Sequence, residues 1–272
     1  MARLSITAGV AVCALAVSLY WFPELYEAPG MQASVHEGPA TAVGQGEARA
    51  YVELDPRGRP ARLGVRLSAA ALEGLPEEPP AHGPAWEYHL ALPPEAEGSG
   101  YDHVTVDWNP LGHLPPGIYD RAHFDFHFYL IEPAARARIT LAGDGAARAS
   151  TAPPPEFMPP GYVLPEGTAQ PRMGAHAINP AAPEFGDGEF SATFIYGFHE
   201  GRMVFLEPMA THDFLASRAE HAETLPTPER YHRPGYYPRA WRIHFDEERE
   251  EHVVTLERLE RHTPIAAIRE DR

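Results

Sequence analysis

The segment HFDFHFY, residues 123–129, sets His123, Asp125 and His127 at every second position, with Phe124, Phe126 and Phe128 between them. In an extended strand successive side chains point to opposite faces. The segment therefore predicts a strand with one phenylalanine face for burial and one His-Asp-His face. A face meant only for water would use Thr, Lys, Glu or Ser. Imidazole and carboxylate in alternation are the groups that hold a divalent cation or move a proton. Residues at i and i+2 lie about 6.8 Å apart along the backbone and can converge on one ion, whereas His123 and His127 lie about 13 Å apart in a straight strand. Either Asp125 binds together with one histidine, or a bend brings both histidines to one ion and Asp125 orients an imidazole from behind. The bent strand, with both histidines as ligands, is the expectation adopted.

Other segments must complete such a shell. His176, in PRMGAH, follows a glycine in what reads as an irregular loop, a good place from which to aim a side chain inward. Glu207 closes MVFLE, where Met203, Phe205 and Glu207 share one face, so its carboxylate follows apolar residues inward and needs a partner. His113, in NPLGHLPPG, sits in a rigid loop as a ligand or a proton shuttle. The expected metal ligands are thus His123, His127, His176 and Glu207, with Asp125 and His113 as catalytic groups. Nitrogen-rich donors favour zinc among divalent metals. His103, His199, His212, His244 and His252 read as surface or hairpin residues without a role. The acidic run DEEREE, residues 246–251, lacks the alternating ligands and central glycine of a calcium loop.

Composition narrows the chemistry. The 272-residue chain carries a formal charge of -16, from 38 acidic and 22 basic residues, which argues against nucleic acid or an anionic membrane surface as partner. Every basic residue is arginine, so Schiff-base and P-loop lysine chemistry are excluded. The single cysteine, Cys13, lies in the N-terminal apolar stretch and leaves the rest without disulfides, thiolate ligands or a thiol nucleophile. No G-x-S-x-G, G-x-G-x-x-G or H-E-x-x-H motif occurs.

The elements that must position these groups are mostly strands. Residues 1–30 combine a short positive start with the uncharged ITAGVAVCALAVSLYWF and predict a signal peptide or an N-terminal membrane anchor. Residues 31–47 read as a Gly/Pro-rich linker, and 48–265 as a single domain. Hairpins are expected over 48–68, 190–209 and 239–260, strands at 86–93, 103–108 and 123–131, and a short helix after a Ser68 cap. With 30 Pro and 23 Gly, helices must be few and short. The expected fold class is mainly β, barrel-like or a sandwich of antiparallel strands with long Pro-rich loops.

The blocks WNPLGHLPPGIYDRAHFDFHFY (108–129), PRMGAH (171–176) and TFIYGFHEGRMVFLEPM (193–209) resemble a bacterial family of unknown function, typified by a Thermus protein under a sigma-E/anti-sigma-E system. The resemblance spans roughly residues 48–218. It implies a mostly β, exported protein with a bound divalent metal, and carries the motif positions onto His113, His123, Asp125, His127, His176 and Glu207. It brings no established reaction. The expected function is an exported zinc-binding envelope protein, periplasmic, secreted or anchored at the outer face of the cytoplasmic membrane. It would act as a metal-dependent hydrolase or lyase on a small molecule, or as a non-catalytic metal- or ligand-binding stress protein. A purely structural polar cluster acting through contacts in a homo-oligomer is the third reading.

Overall fold

The computed structural model describes residues 32–83 and 85–263. The strands are β1 Ser34–Glu37, β2 Thr41–Val43, β3 Gly46–Leu54, β4 Pro60–Ser68, β5 Trp86–Ala91, β6 His103–Asn109, β7 His123–Tyr129, β8 Ala175–Ala177, β9 Ala192–His199, β10 Arg202–Thr211, β11 His221–Thr224, β12 Gly235–Tyr237, β13 Ala240–Asp246, β14 Glu251–Glu257 and β15 Glu260–His262. One sheet runs β1-β3-β4-β14-β13-β11, with β2 also on β3, and a second runs β5-β6-β7-β10-β9-β8. β12 and β15 form a small ribbon. All pairings are antiparallel, and neither large sheet closes into a barrel.

The two large sheets form a sandwich. Ala48, Ala50, Val52, Leu63, Val65, Leu67, Trp241, Ile243, Val254 and Leu256 of the first share one buried cluster with residues of the second. The second sheet contributes Val104, Val106 and Trp108, the three phenylalanines of β7, and Phe194, Tyr196 and Phe198. Phe194 meets Trp241 across the layers with ring centroids 5.6 Å apart. The alternation in β6, β7 and β9 thus follows from burial of one face, which fixes the register: a slip of one residue would send the phenylalanines to the other side.

The expected hairpins form over β3–β4, β9–β10 and β13–β14. Several other expectations are corrected. The 31–47 stretch is not a tether: β1 and β2 pair with β3, because backbone hydrogen bonding at a sheet edge needs no apolar periodicity. The helix after Ser68 is a single 3-10 turn, Ala69–Leu72, and Ser68 does not cap it; its hydroxyl accepts from Glu47 N instead. His176 lies on β8 rather than in an irregular loop. The expected bend in β7 is absent, since its register with β6 is unbroken from His103↔Tyr129 to Asn109↔His123. The irregularity falls on β10, between Met203 and Phe205. Met203 therefore packs into the sandwich core, while Phe205 joins a separate cluster on the outer face. Residues 1–30, read as a signal peptide or anchor, lie outside the described residues. Among the described residues no helix is long and apolar enough to cross a membrane.

Candidate metal centre

The outer face of the second sheet is polar yet buried. His103, Thr105, Asp107 and Asn109 of β6, His123, Asp125 and His127 of β7, and Glu207 of β10 are each at most 7% exposed. Two small apolar clusters flank them. Tyr119, Phe190, Ile195 and Met209 pack at one end, and Tyr129, Ile131, Ile139, Val204 and Phe205 at the other. Several of these residues come from the long connections after β6 and β7, which shield the face from water.

Within this layer the ligand-type atoms gather in two groups, each with its ligand atoms within 4.8 Å of one another: His113, His123 and Asp125; and His127, His176 and Glu207. All six sequence-derived residues fall in these groups, but His123 and His127 fall in different ones. The straight strand explains the division, because it holds the two imidazoles a full four residues apart. Asp125 stands beside His123, with Nε2–Oδ1 at 3.0 Å, and beside His113, with Nε2–Oδ2 at 3.4 Å. In the second group His127 Nε2 lies 3.3 Å from Glu207 Oε1, and His176 Nε2 3.8 Å from Glu207 Oε2. Donor atoms in a tetrahedral zinc shell lie about 3.3 Å from each other, given bonds of about 2.0–2.1 Å.

Outer partners fix the orientation of the rings. His113 Nδ1–H donates to Leu114 O at 2.8 Å, His123 Nδ1–H to Arg121 O at 2.6 Å, and His176 Nδ1–H to Thr168 O at 2.7 Å. In each case this leaves Nε2 as the atom turned toward the carboxylates, the arrangement by which metal-binding imidazoles are oriented. His127 instead sets Nδ1 3.4 Å from Asp107 Oδ2. Asn109 Nδ2–H donates to Asp125 Oδ2 at 2.8 Å and steadies that carboxylate.

Several buried atoms here have no hydrogen-bond partner: Asp107 Oδ1, His123 Nε2, Asp125 Oδ1, both ring nitrogens of His127, and Glu207 Oε2. His123 Nε2 and Asp125 Oδ1 remain unpartnered although 3.0 Å apart, so neither points squarely at the other. Leaving one buried polar atom unsatisfied costs about 1–3 kcal/mol, more for charged groups. A concentration of such atoms in two small groups is what a pair of cation sites would leave.

The electrostatics agree. Burial would lower the His113 imidazole, but the Asp125 carboxylate outweighs it and lifts the group to about 9. Burial likewise opposes His127, yet Glu207 and Asp107 lift it to about 9. Burial would raise Asp125, while His123 and His113 hold it well below the carboxylate range. His176 is lowered by burial, only partly offset by Glu207. Burial raises Asp107 to about 7 against the pull of His127. Protons on His113 and His127 thus occupy places from which a cation would displace them.

Sequence reasoning missed the supporting residues. Asp107 and Asn109 gave a signal, sitting at alternate positions of β6 and opposite Asp125 and His123 in the register. Glu184, buried and 3.4 Å from the Tyr119 hydroxyl, gave none, because it lies in a Pro-rich connection. His103 and His252, read as surface residues, are both buried; His103 stacks on Tyr129 at 4.8 Å, which in turn stacks on His127 at 5.6 Å.

Residues 55–108 match the TTHB210-like family, described as hypothetical protein TTHB210. The match agrees with the resemblance to a Thermus-typified family of unknown function. It covers β4, β5 and all of β6 but its last residue, so it reaches Asp107 and stops before the six ligand-type residues. No curated protein and no solved structure gives a match to the chain.

Proposed function

We propose that this chain is an exported protein of the cell envelope that binds divalent metal, with zinc the favoured ion, on the buried face of its second sheet. The carrying observation is the convergence of two histidine–carboxylate groups, several of whose inward atoms lack partners, while three of the four imidazoles are anchored from behind by backbone carbonyls. On this reading each group takes one cation. The His127 group is the more buried, with His127 and Glu207 both 1% exposed, His176 half-buried and Asp107 behind His127, and suits an ion that holds structure. The His113 group lies at the edge of the layer, where the His113 side chain keeps 26% of its exposure. An ion there would supply Lewis acidity near neutral pH. His113, His123 and Asp125 would hold it, and Asn109 would keep Asp125 aimed. Hydrolysis or hydration of a small molecule at that edge is the catalytic form of the proposal. The non-catalytic form is metal storage or stress response with both sites closed. Export rests on the apolar N-terminal segment.

Elemental analysis of the full-length protein, purified without added metal, tests the proposal. Two equivalents of zinc or a like cation per chain are expected, falling to one in His123→Ala and to one in His176→Ala. Absence of bound metal, with none taken up from micromolar zinc, would refute it. Exchange of the His113-side ion under a mild chelator, with the other retained, would favour the catalytic form.

A further inference from the structure

An arginine-lined cleft opens on the far side of the apolar cluster that backs His127. It encloses about 630 Å³ and is lined by Ile131, Ile139 and Val204 together with Arg138, Arg202 and Arg233. Small-molecule sites commonly span about 300–1,000 Å³ and combine an apolar floor with a few polar anchors. The floor here is continuous with Tyr129 and Phe205, so the cleft and the candidate metal centre share one wall without sharing a ligand.

Charge distinguishes this cleft from the rest of the surface. The chain is strongly acidic, and most arginines of the described residues sit within 4.0 Å of a carboxylate. Arg138, Arg202 and Arg233 have no carboxylate at that range among the described residues. Arg233 is pinned at the rim by donating to Leu130 O at 2.8 Å, which leaves its other N–H groups for a ligand. Arg148 and His199 also line the cleft, and Glu200, the one carboxylate there among the described residues, lies 3.7 Å from Arg148 and 3.9 Å from His199. His199 Nδ1 is buried and has no hydrogen-bond partner among the described residues. Three uncompensated guanidiniums around one concavity repel each other and draw an anion. Guanidinium is also the side chain best matched to carboxylate and phosphate oxygens.

We infer that this cleft binds a small organic anion, its carboxylate or phosphate head held by Arg138, Arg202 and Arg233 and its apolar body resting on Ile131, Ile139 and Val204. The inference does not depend on metal occupancy. The two headgroups share the same recognition, and the experiment separates them.

Isothermal titration of the full-length protein with octanoate, octyl phosphate and the neutral octyl glucoside is the test. One site per chain is expected for at least one anion, with octyl glucoside at least tenfold weaker. The stronger of octanoate and octyl phosphate identifies the head. In Arg138→Ala/Arg202→Ala the anion affinity should fall at least tenfold and the thermal midpoint should stay within the wild-type range, because both side chains are exposed. Glu200→Gln, which removes the one carboxylate that lines the cleft among the described residues, should tighten anion binding. Equal binding of octyl glucoside, unchanged anion affinity in the double variant, or no binding of either anion at millimolar concentration would each overturn the inference.

Discussion

Zinc-linked thermal stability offers a quantitative test of the two-site geometry. The His113 and His127 groups share no ligand, although Asp125 and His127 are neighbours on one face of β7. An ion that binds only the folded chain stabilises it by about 2.7 kcal/mol when its free concentration is a hundredfold above the dissociation constant. Two such ions contribute about 5 kcal/mol. For a domain of this size each kcal/mol moves the melting midpoint by roughly 2–4 °C, so saturating zinc should raise it by roughly 10–20 °C. His123→Ala removes a ligand from one group only, and His176→Ala from the other. Each variant should keep about half of the zinc-dependent rise, and the double variant should show none. Differential scanning fluorimetry, with free zinc buffered and a chelated control for each protein, gives the comparison. If either single substitution abolished the whole rise, the six residues would serve one shared ion. If zinc moved no midpoint, the unpartnered atoms would have to be satisfied in some other way.

Three further outcomes are expected. A Cβ on Gly197 would lie 2.1 Å from Cε1 of Phe205, whose ring packs against both His127 and His176. Gly197→Ala should therefore cost about 1–3 kcal/mol in chemical denaturation and weaken the His127-side ion selectively. Gly112 has φ +71°, and a Cβ there would meet Tyr119 O at 2.1 Å, so Gly112→Ala should displace the loop bearing His113 and lower metal content to one equivalent. Glu87 is opposed by burial but held down to about 2 by Arg136 and Arg172, with Arg172 Nη2 2.7 Å away. A carboxyl depressed on folding stabilises the protein above its unfolded value and loses that contribution as pH falls from about 4.5 toward 2. Solvent screening of this partly exposed cluster reduces the contribution to about 1–2 kcal/mol. Glu87→Gln should thus be less stable at pH 7 and show a flatter acid limb in pH-dependent melting; an unchanged limb would remove Glu87 from the account.

Local periodicity already carried much of the scaffold. The alternation in β6, β7 and β9 and the turn chemistry of the hairpins mark a sandwich because each strand has one face that must leave water. Edge strands such as β1, β2, β11 and β15 were hidden, since their pairing is satisfied by backbone groups whatever the side chains. The residue types of the site were also legible: His123, Asp125 and His127 are unsuited to a face meant only for solvent.

How those residues are grouped was not legible. A sequence of alternating ligands reads the same whether the strand bends or runs straight, and only its unbroken pairing with β6 separated His123 from His127. The irregularity in β10 turned Glu207 onto the polar face, and β8 brought His176 across Gly197 to meet it. Composition and spacing along the chain determined which chemical groups were present and which face each strand buried. Contacts between segments far apart in the chain decided which groups met, because convergence depends on sheet order and register, neither of which leaves a local trace.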